Sequence, residues 1–156
     1  MEKNKKLLTL VILRNKEMVL LGMKKRGFGE GKWNGFGGKV ELGETIIEAA
    51  CREVKEECGL VVLPENMEKM GEMDFVFKGD PVVLNVHVFQ SRLFSGEMIE
   101  TEEMKPMWFR EDNIPYKDMW LDDELWYPHL LENRKFQAHF VFEGHDKILQ
   151  SKIELI

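Results

Sequence analysis

The stretch from Gly38 to Leu60, GKVELGETIIEAACREVKEECGL, constrains this chain more than any other. Between Thr45 and Cys58 it holds neither Gly nor Pro, and Gly59 follows, so the spacing predicts one helix that stops at Gly59. Wound at about 100° per residue, Ile46, Ile47, Ala50, Cys51, Val54 and Cys58 form one apolar stripe, with Glu48 and Lys55 opposite. Glu53, Glu56 and Glu57 do not join that polar side. They border the stripe, and Glu57 projects between Ile46 and Ala50. A merely solvated acidic face would place them with Lys55. Carboxylates gathered at a core edge repel one another unless a cation lies between them, and hard oxygen ligands suit Mg²⁺ or Mn²⁺. On these residues alone, metal binding and a purely structural role stand level.

The chain has 156 residues, 44% hydrophobic and 32% charged, which suits one globular domain over 1–156 and argues against disorder. Its net charge of −6 argues against long nucleic acid as a partner, because phosphate backbones need a basic surface. A small anionic ligand remains compatible if metal or local basic groups offset its charge. The opening MEKNKKLLTLVILR superficially resembles a secretory leader, but no small-residue cleavage site follows and Arg14 ends the run, so it reads as a first strand. No apolar run approaches the ~18 residues that span a bilayer, and no membrane is expected. Cys51 and Cys58, seven helical positions apart, would stand ~10 Å apart along the axis, too far to bridge. Reduced thiols fit a cytoplasmic protein, with the mitochondrion or nucleus as alternatives, and a monomer is the default.

LLTLVIL and MVLLGMKK are strand-like runs joined by the polar RNKE, which predicts a hairpin. The loop RGFGEGKWNGFGGKV follows, dense in glycine at Gly27, Gly29, Gly31, Gly35, Gly37 and Gly38. Beyond the helix, MDFVFKGDPVVLNVHVFQSRLF predicts two strands about a Gly-Asp-Pro turn, MKPMWF a short strand, and FQAHFVFEGHDKILQSKIEL a closing hairpin. Residues 122–133 predict a second helix with Asp122 as N-cap, broken or started late by Pro128. Several strands with two helical segments, and no repeat or linker, make a mixed α+β layered domain.

From Gly38 the pattern runs Gly, five residues, Glu44, seven residues, then Arg52-Glu53-Val54-x-Glu56-Glu57-x-Gly59-Leu60. Seven such specified residues coincide by chance about once in 10⁸ positions. The chain resembles the Nudix hydrolases at every fixed position of their signature. That resemblance implies the Nudix fold, a mixed β-sheet sandwiched between helices in the α+β class. It also implies metal ligation by the backbone near Gly37 and by Glu53, Glu56 and Glu57, with Mg²⁺ or Mn²⁺ as cofactor. Attack on a phosphate ester needs its charge masked and a water made nucleophilic near neutral pH, and bound metal supplies both. Arg52 and Glu44 are expected to brace the loop as an ion pair. Glu57 is the choice for the ligand that also orients the water, and Glu103, in ETEEMKP, is a second candidate for metal or base.

Outside the signature the resemblance continues over LLGMKKRGFGEGKWNGFGGKV, NVHVF, PYKDMWLDDELWYP and FQAHFVFEG. It is to those family members that hydrolyse oxidised purine nucleoside triphosphates, 8-oxo-dGTP and 2-hydroxy-dATP, to monophosphate and pyrophosphate, with methylated purines as further substrates. By that resemblance Trp120 stacks on a purine, Asp122 and Asp123 read its edge, and Asn34 reads the opposite edge. Two close carboxylates do not both ionise easily, so the pair is expected to hold one proton and present an acceptor beside a donor. Thr9, Lys24, Phe28, Phe36, Gly37, Gly38, Lys39, Phe75, Phe77 and Leu84 complete the expected binding residues, Leu84 standing where such enzymes often carry Met.

His87, His129, His139 and His145 show no ligand spacing and read as ordinary strand, helix or loop residues. Lys25 and Arg26 read nearly as well as a solvated turn as they do as phosphate ligands. Two rival functions stay open. One is a Nudix enzyme for another nucleoside-diphosphate-linked substrate, which would need a different pocket. The other is a non-catalytic module binding nucleotide or RNA, which can lose its signature glutamates; this chain keeps them.

Overall fold

The apolar runs at the start of the chain form a hairpin whose strands part early. In the computed structural model, which describes residues 4–156, β1 (Asn4–Asn15) and β2 (Met18–Lys24) turn at Lys16 with φ 55°. They pair only through Leu13, Arg14 and Asn15. β2 then takes β3 (Trp33–Asn34) as partner at Gly22 and Met23. The vacated edge of β1 is bridged by Phe36 to Val11 and by Lys39 to Leu8. The short β3 and these bridges lie inside what the sequence presented as one glycine-rich loop. Crowding, not backbone angle, demands glycine here: a Cβ on Gly37 would stand 1.8 Å from the Thr9 carbonyl oxygen, and one on Gly38 2.7 Å from a Glu53 carboxylate oxygen.

The remaining elements are α1 (Ile46–Cys58), β4 (Glu68–Phe77), β5 (Val82–Ser91), β6 (Met104–Arg110), α2 (Asp123–Leu131), β7 (Phe136–Glu143) and β8 (Lys147–Leu155). One sheet runs β3-β2-β1-β5-β4-β7-β8, with β6 on β2. It is mixed, since β1 lies parallel to β5 and β4 parallel to β7. Successive β1 residues point to opposite faces, and both faces are covered. Leu10 and Ile12 join Trp126, Tyr127 and Leu130 of α2 in one core, while Val11 and Leu13 join Ala50, Val54 and Cys58 of α1 in another. The expected α+β sandwich is what forms.

α1 starts on a capping box. Thr45 Oγ1 accepts the Glu48 backbone N–H at 3.1 Å, and Glu48 accepts the Thr45 N–H at 2.8 Å, an arrangement worth about 1 kcal/mol. Gly59, at φ 82°, ends the helix by donating to the Lys55 carbonyl. The expected apolar stripe is corrected at its start: Ile47 stays 37% exposed, because burial begins only at Ala49, in the turns that meet the sheet. Cys51 and Cys58 are both free thiols.

α2 departs from expectation twice. It runs unbroken through Pro128. Asp122 holds the N-cap position with helical angles but makes no capping bond, because its carboxylate turns inward to accept Trp126 Nε1 at 2.8 Å. The other end of α2 is anchored by Arg14, fully buried at the end of β1. Its guanidinium donates to the carbonyls of Leu130 (3.3 Å) and Leu131 (2.9 Å), to Gln90 (2.8 Å), to Asn133 (3.1 Å) and to Glu111 (2.8 Å). A cation at a helix C-terminus satisfies carbonyls that have no partner within the helix.

Candidate active site

Two cavities share a wall. The first, about 260 Å³, runs over the face of the sheet on which α2 packs. The second is lined by Lys24, Gly37, Gly38, Glu53, Glu56, Glu57 and Glu103. Lys24, Gly37, Gly38 and Glu57 line both. The close approach of Gly37 and Gly38 to β1 brings the glycine loop to this junction, and the register of α1 brings Glu57 there from the other side.

Arg52 organises the acidic cavity. It grips Glu44 with two bonds, of 3.0 and 2.6 Å, as the sequence predicted, and also donates to Glu53 (2.9 Å), Glu56 (3.2 Å) and the Lys39 carbonyl (3.1 Å). Bidentate pairing of this kind fixes orientation as well as charge. Glu57 is buried in the helix stripe, and its Oε1 accepts the Gly37 N–H at 2.7 Å. Burial pushes its pKa up to about 8, with Glu53 and Glu56 adding to the rise while the Gly37 N–H and Lys24 oppose it. Burial also raises Glu53, against the pull of Arg52.

Among the described residues no three Asp, Glu, His or Cys side chains converge on one point as a closed metal cluster. Glu53 and Glu56 lean on Arg52 instead. The donor set nonetheless fits a divalent ion, because it is all hard oxygen and its two more buried members resist ionisation without a compensating cation. Glu103 reaches the same cavity but is tied to Arg26 at 2.8 Å, a bond that holds its carboxyl below the usual range. Lys25 likewise pairs with Glu100, so of this basic cluster Lys24 alone lines the cavities.

The first cavity gathers most of the expected binding residues. Thr9, Phe75, Phe77 and Leu84 come from β1, β4 and β5; Phe28 and Asn34 come from the glycine loop; Trp120, Asp122 and Asp123 come from α2 and the turn before it. Asp122 and Asp123 are 3% and 2% exposed. Asp122 accepts the Trp126 indole N–H, and Oδ2 of Asp123 is buried with no hydrogen-bond partner among the described residues. Burial pushes Asp122 up to about 6. It drives Asp123 well above the carboxylate range, where the charge of Asp122 and a hydrogen bond from Asp123 to it hold the proton. Burial and the mutual repulsion of the two carboxyls thus both favour a proton retained by the pair. Asn34 is more constrained than expected: its Oδ1 accepts the Gly35 N–H at 2.8 Å, which leaves the amide NH₂ as the group to donate.

Two expected residues do not reach either cavity. Phe36 is wholly buried in the α1 core, because its backbone bridge to Val11 turns the ring to that face. Lys39 is exposed and contributes only its carbonyl, to Arg52. Trp120 also differs: Phe28 lies stacked against it at 5.1 Å and 27°, and Lys32 Nζ stands 5.3 Å from its ring centre. Sequence reasoning missed Lys32, along with the apolar floor of Leu8, Leu10, Met73 and Val86. The floor residues alternate along β1, β4 and β5, which was the available signal; nothing near Lys32 in the sequence announced an indole far along the chain.

The chain matches the NUDIX domain family over residues 5–130. It is 50% identical over 149 residues to the oxidized purine nucleoside triphosphate hydrolase of Danio rerio, covering 96% of this chain and 94% of that one. It is 50% identical over 144 residues to the protein of the same name from Mus musculus, covering 92% and 91%. Among solved structures, the mutator MutT protein of Bacillus halodurans superposes with a TM-score of 0.85 at 28% identity, over 96% of this chain and 97% of that one.

Proposed function

The chain belongs to the Nudix family, and on that premise we propose that it hydrolyses oxidised purine nucleoside triphosphates to monophosphate and pyrophosphate. The observation that carries this reading is the shared wall: a base-sized cavity with a carboxyl pair on its lining opens, through Lys24, Gly37, Gly38 and Glu57, onto a carboxylate site suited to phosphates and metal. A nucleotide laid across that wall has its base among Trp120, Asn34, Asp122 and Asp123 and its phosphates at the acidic end. The names of the Danio rerio and Mus musculus relatives support the same substrate class.

Each residue then has a task. Asp123 donates and Asp122 accepts along one edge of the base, Asn34 donates to another, and exchange of the shared proton lets the pair meet the different edges of 8-oxo-guanine and 2-hydroxy-adenine. Methylated purines fall within the same tolerance. Mg²⁺ or Mn²⁺, held by Glu53, Glu56 and Glu57 beside Gly37, would mask phosphate charge and acidify the attacking water. Glu57, present on both cavity walls, orients that water as it adds to phosphorus and the bridging P–O bond between monophosphate and pyrophosphate breaks. Lys24 neutralises the oxygens that gain charge, and Arg52 holds Glu44, Glu53 and Glu56 in register. The protein is taken to act as a monomer on this small ligand.

The test is pyrophosphate release with Mg²⁺ from 8-oxo-dGTP, 2-hydroxy-dATP, dGTP and dATP. The oxidised pair should be preferred. Equal kcat/KM for 8-oxo-dGTP and dGTP would defeat the damaged-base reading, and a nucleoside diphosphate as first product would contradict the substrate orientation.

A further inference from the structure

We propose that His145 is a positioning residue of the base pocket: it packs on three of the lining rings and fixes the planes of Trp120 and Phe28 against which a purine stacks. This rests on the nucleotide-binding reading above and adds a support which the sequence pattern did not reveal.

Strand register places the imidazole there. Phe77, the last residue of β4, pairs with Phe142 of β7, their rings 5.5 Å apart. β7 continues one residue to Glu143, which pairs with Lys147. Only Gly144, His145 and Asp146 remain to make the turn, with Gly144 at φ 62°. The hairpin tip therefore overshoots β4 just where the cavity opens. His145 is exposed, yet its ring contacts three others edge-on: Trp120 at 5.0 Å and 60°, Phe28 at 5.2 Å and 78°, and Phe77 at 6.0 Å and 71°. All three line the cavity. No other histidine in the chain has such contacts among the described residues. His87, for instance, is buried between Lys69 and Asn85.

The three rings come from distant parts of the chain; Phe142 of β7 also touches Trp120 (6.3 Å) and Phe77 (5.5 Å), while Phe28 meets the others only through its own ring and through His145. Phe28 is 61% exposed on a loop whose Gly27, Gly29 and Gly31 all have positive φ. Apart from His145, its ring partners are the stacked Trp120 and the edge of Phe77, 6.5 Å away. His145 touches each member of this trio and so ties the glycine loop, the end of β4 and the segment before α2 into one wall. Among the described residues its ring contacts, hydrogen bonds and ion pairs include none of those lining the acidic cavity, so it acts on stacking and not on the phosphate chemistry.

Stacking tolerates any base, whereas edge hydrogen bonds select one. This separates His145 from the aspartates. Loss of its contacts should weaken binding of damaged and undamaged purines alike, by about two- to twelvefold, the range that aromatic pair contacts span in a binding constant. The experiment measures KM and kcat for 8-oxo-dGTP and dGTP, together with calorimetric Kd values for 8-oxo-dGMP and dGMP, in wild type, His145→Ala and His145→Phe. Expected are KM and Kd raised in His145→Ala, with the loss absent from kcat, an unchanged ratio between the two bases, and recovery to within about twofold in His145→Phe. Wild-type Kd in His145→Ala, a loss confined to kcat, a changed base ratio, or no recovery in His145→Phe would each overturn the proposal. The monophosphate arm keeps the two readings distinct. A wild type that binds 8-oxo-dGMP without cleaving 8-oxo-dGTP defeats the proposed reaction, yet its Kd values still report on the wall.

Discussion

Replacing Asp122 by Asn should make the protein more stable and less able to serve its substrates equally. The carboxyl is 3% exposed, and burial raises its pKa from 3.8 to about 6. A shift of about two units corresponds to roughly 3 kcal/mol of preference for the neutral form in the folded state. The folded pKa lies above the unfolded one, so the protein binds the proton more tightly when folded. Stability from this group is present below pH ~4, is lost as pH rises through about 6, and stays lost above. Asp123, raised further, extends the decline to higher pH. Asn at 122 keeps an oxygen for the Trp126 indole N–H and removes the ionisation.

The expected gain at pH 7 is about 1–3 kcal/mol, with the full shift of Asp122 as its scale. At roughly 2–4 °C per kcal/mol for a chain of this size, Tm should rise by about 2–12 °C. The assay is scanning calorimetry from pH 4 to 8.5, read as the difference between mutant and wild type, so that other titrating groups cancel. That difference should be near zero at pH 4 and full by pH 7. In parallel, kcat/KM for 8-oxo-dGTP and 2-hydroxy-dATP should fall unequally, at least one by more than tenfold, about 1.4 kcal/mol. A flat difference curve, or a Tm that falls, would refute the buried shared proton. Wild-type efficiency on both substrates would leave the pair with no part in reading the base.

Glu57→Gln keeps an acceptor for the Gly37 N–H, so the variant should fold and bind nucleotide while turnover falls at least a hundredfold, about 2.7 kcal/mol; survival of wild-type rates there, or in excess chelator, would remove the metal mechanism. Asn34→Ala should cost about 1–3 kcal/mol in base recognition without altering the Mg²⁺ concentration that gives half-maximal rate, which a paired substrate and metal titration would check. Arg14→Met strands half-buried Glu111, buried Gln90 and the α2 carbonyls, and urea unfolding should register a loss of about 3–5 kcal/mol. A loss under 1 kcal/mol would show that the guanidinium does not anchor α2.

The legible parts of this chain were those in which one local pattern fixes one element. Thr45 with Glu48 marked the start of α1 and Gly59 its end, and the alternation around Gly79-Asp80-Pro81 marked β4 and β5. The carboxylates of the acidic cavity lie mostly on α1, so helical spacing alone brought Glu53, Glu56 and Glu57 together. What the sequence hid depends on contacts between remote segments. Phe36 turned into the α1 core because β2 leaves β1 after only three pairs, a parting that no local pattern records. Asp122 looked like a cap because nothing in WLDDELW tells whether its carboxylate meets helix N–H groups or the indole four residues on. His145 looked ordinary because its partners lie 25, 68 and 117 positions away, at Trp120, Phe77 and Phe28.

The two ends of the site use the same difficult material, buried carboxylate, and differ in what compensates it. Around Glu57 the neighbours include Lys24 and, through Glu53 and Glu56, Arg52, and the cavity reaches exposed Glu56 and Glu103. An ion can enter there, and a site with several acidic oxygens and its own basic braces favours a divalent cation over protons. Around Asp123 the influences are desolvation, the charge of Asp122 and its hydrogen bond, and the Trp120 backbone; no basic side chain is among them. With burial nearly complete on both aspartates, the proton is the compensating charge left to that end. A retained proton is a hydrogen-bond donor, which a carboxylate cannot otherwise be. On the proposed function, exposure and basic neighbours thus divide the acids of the site into a metal-binding end and a base-reading end. A lysine on the same cavity wall, as in Leu84→Lys, should narrow the difference: its charge favours ionised aspartates, weakens the donor and should cost base selectivity before it touches the metal requirement, and an unchanged preference for 8-oxo-dGTP over dGTP in that variant would show that the proton is not what reads the base.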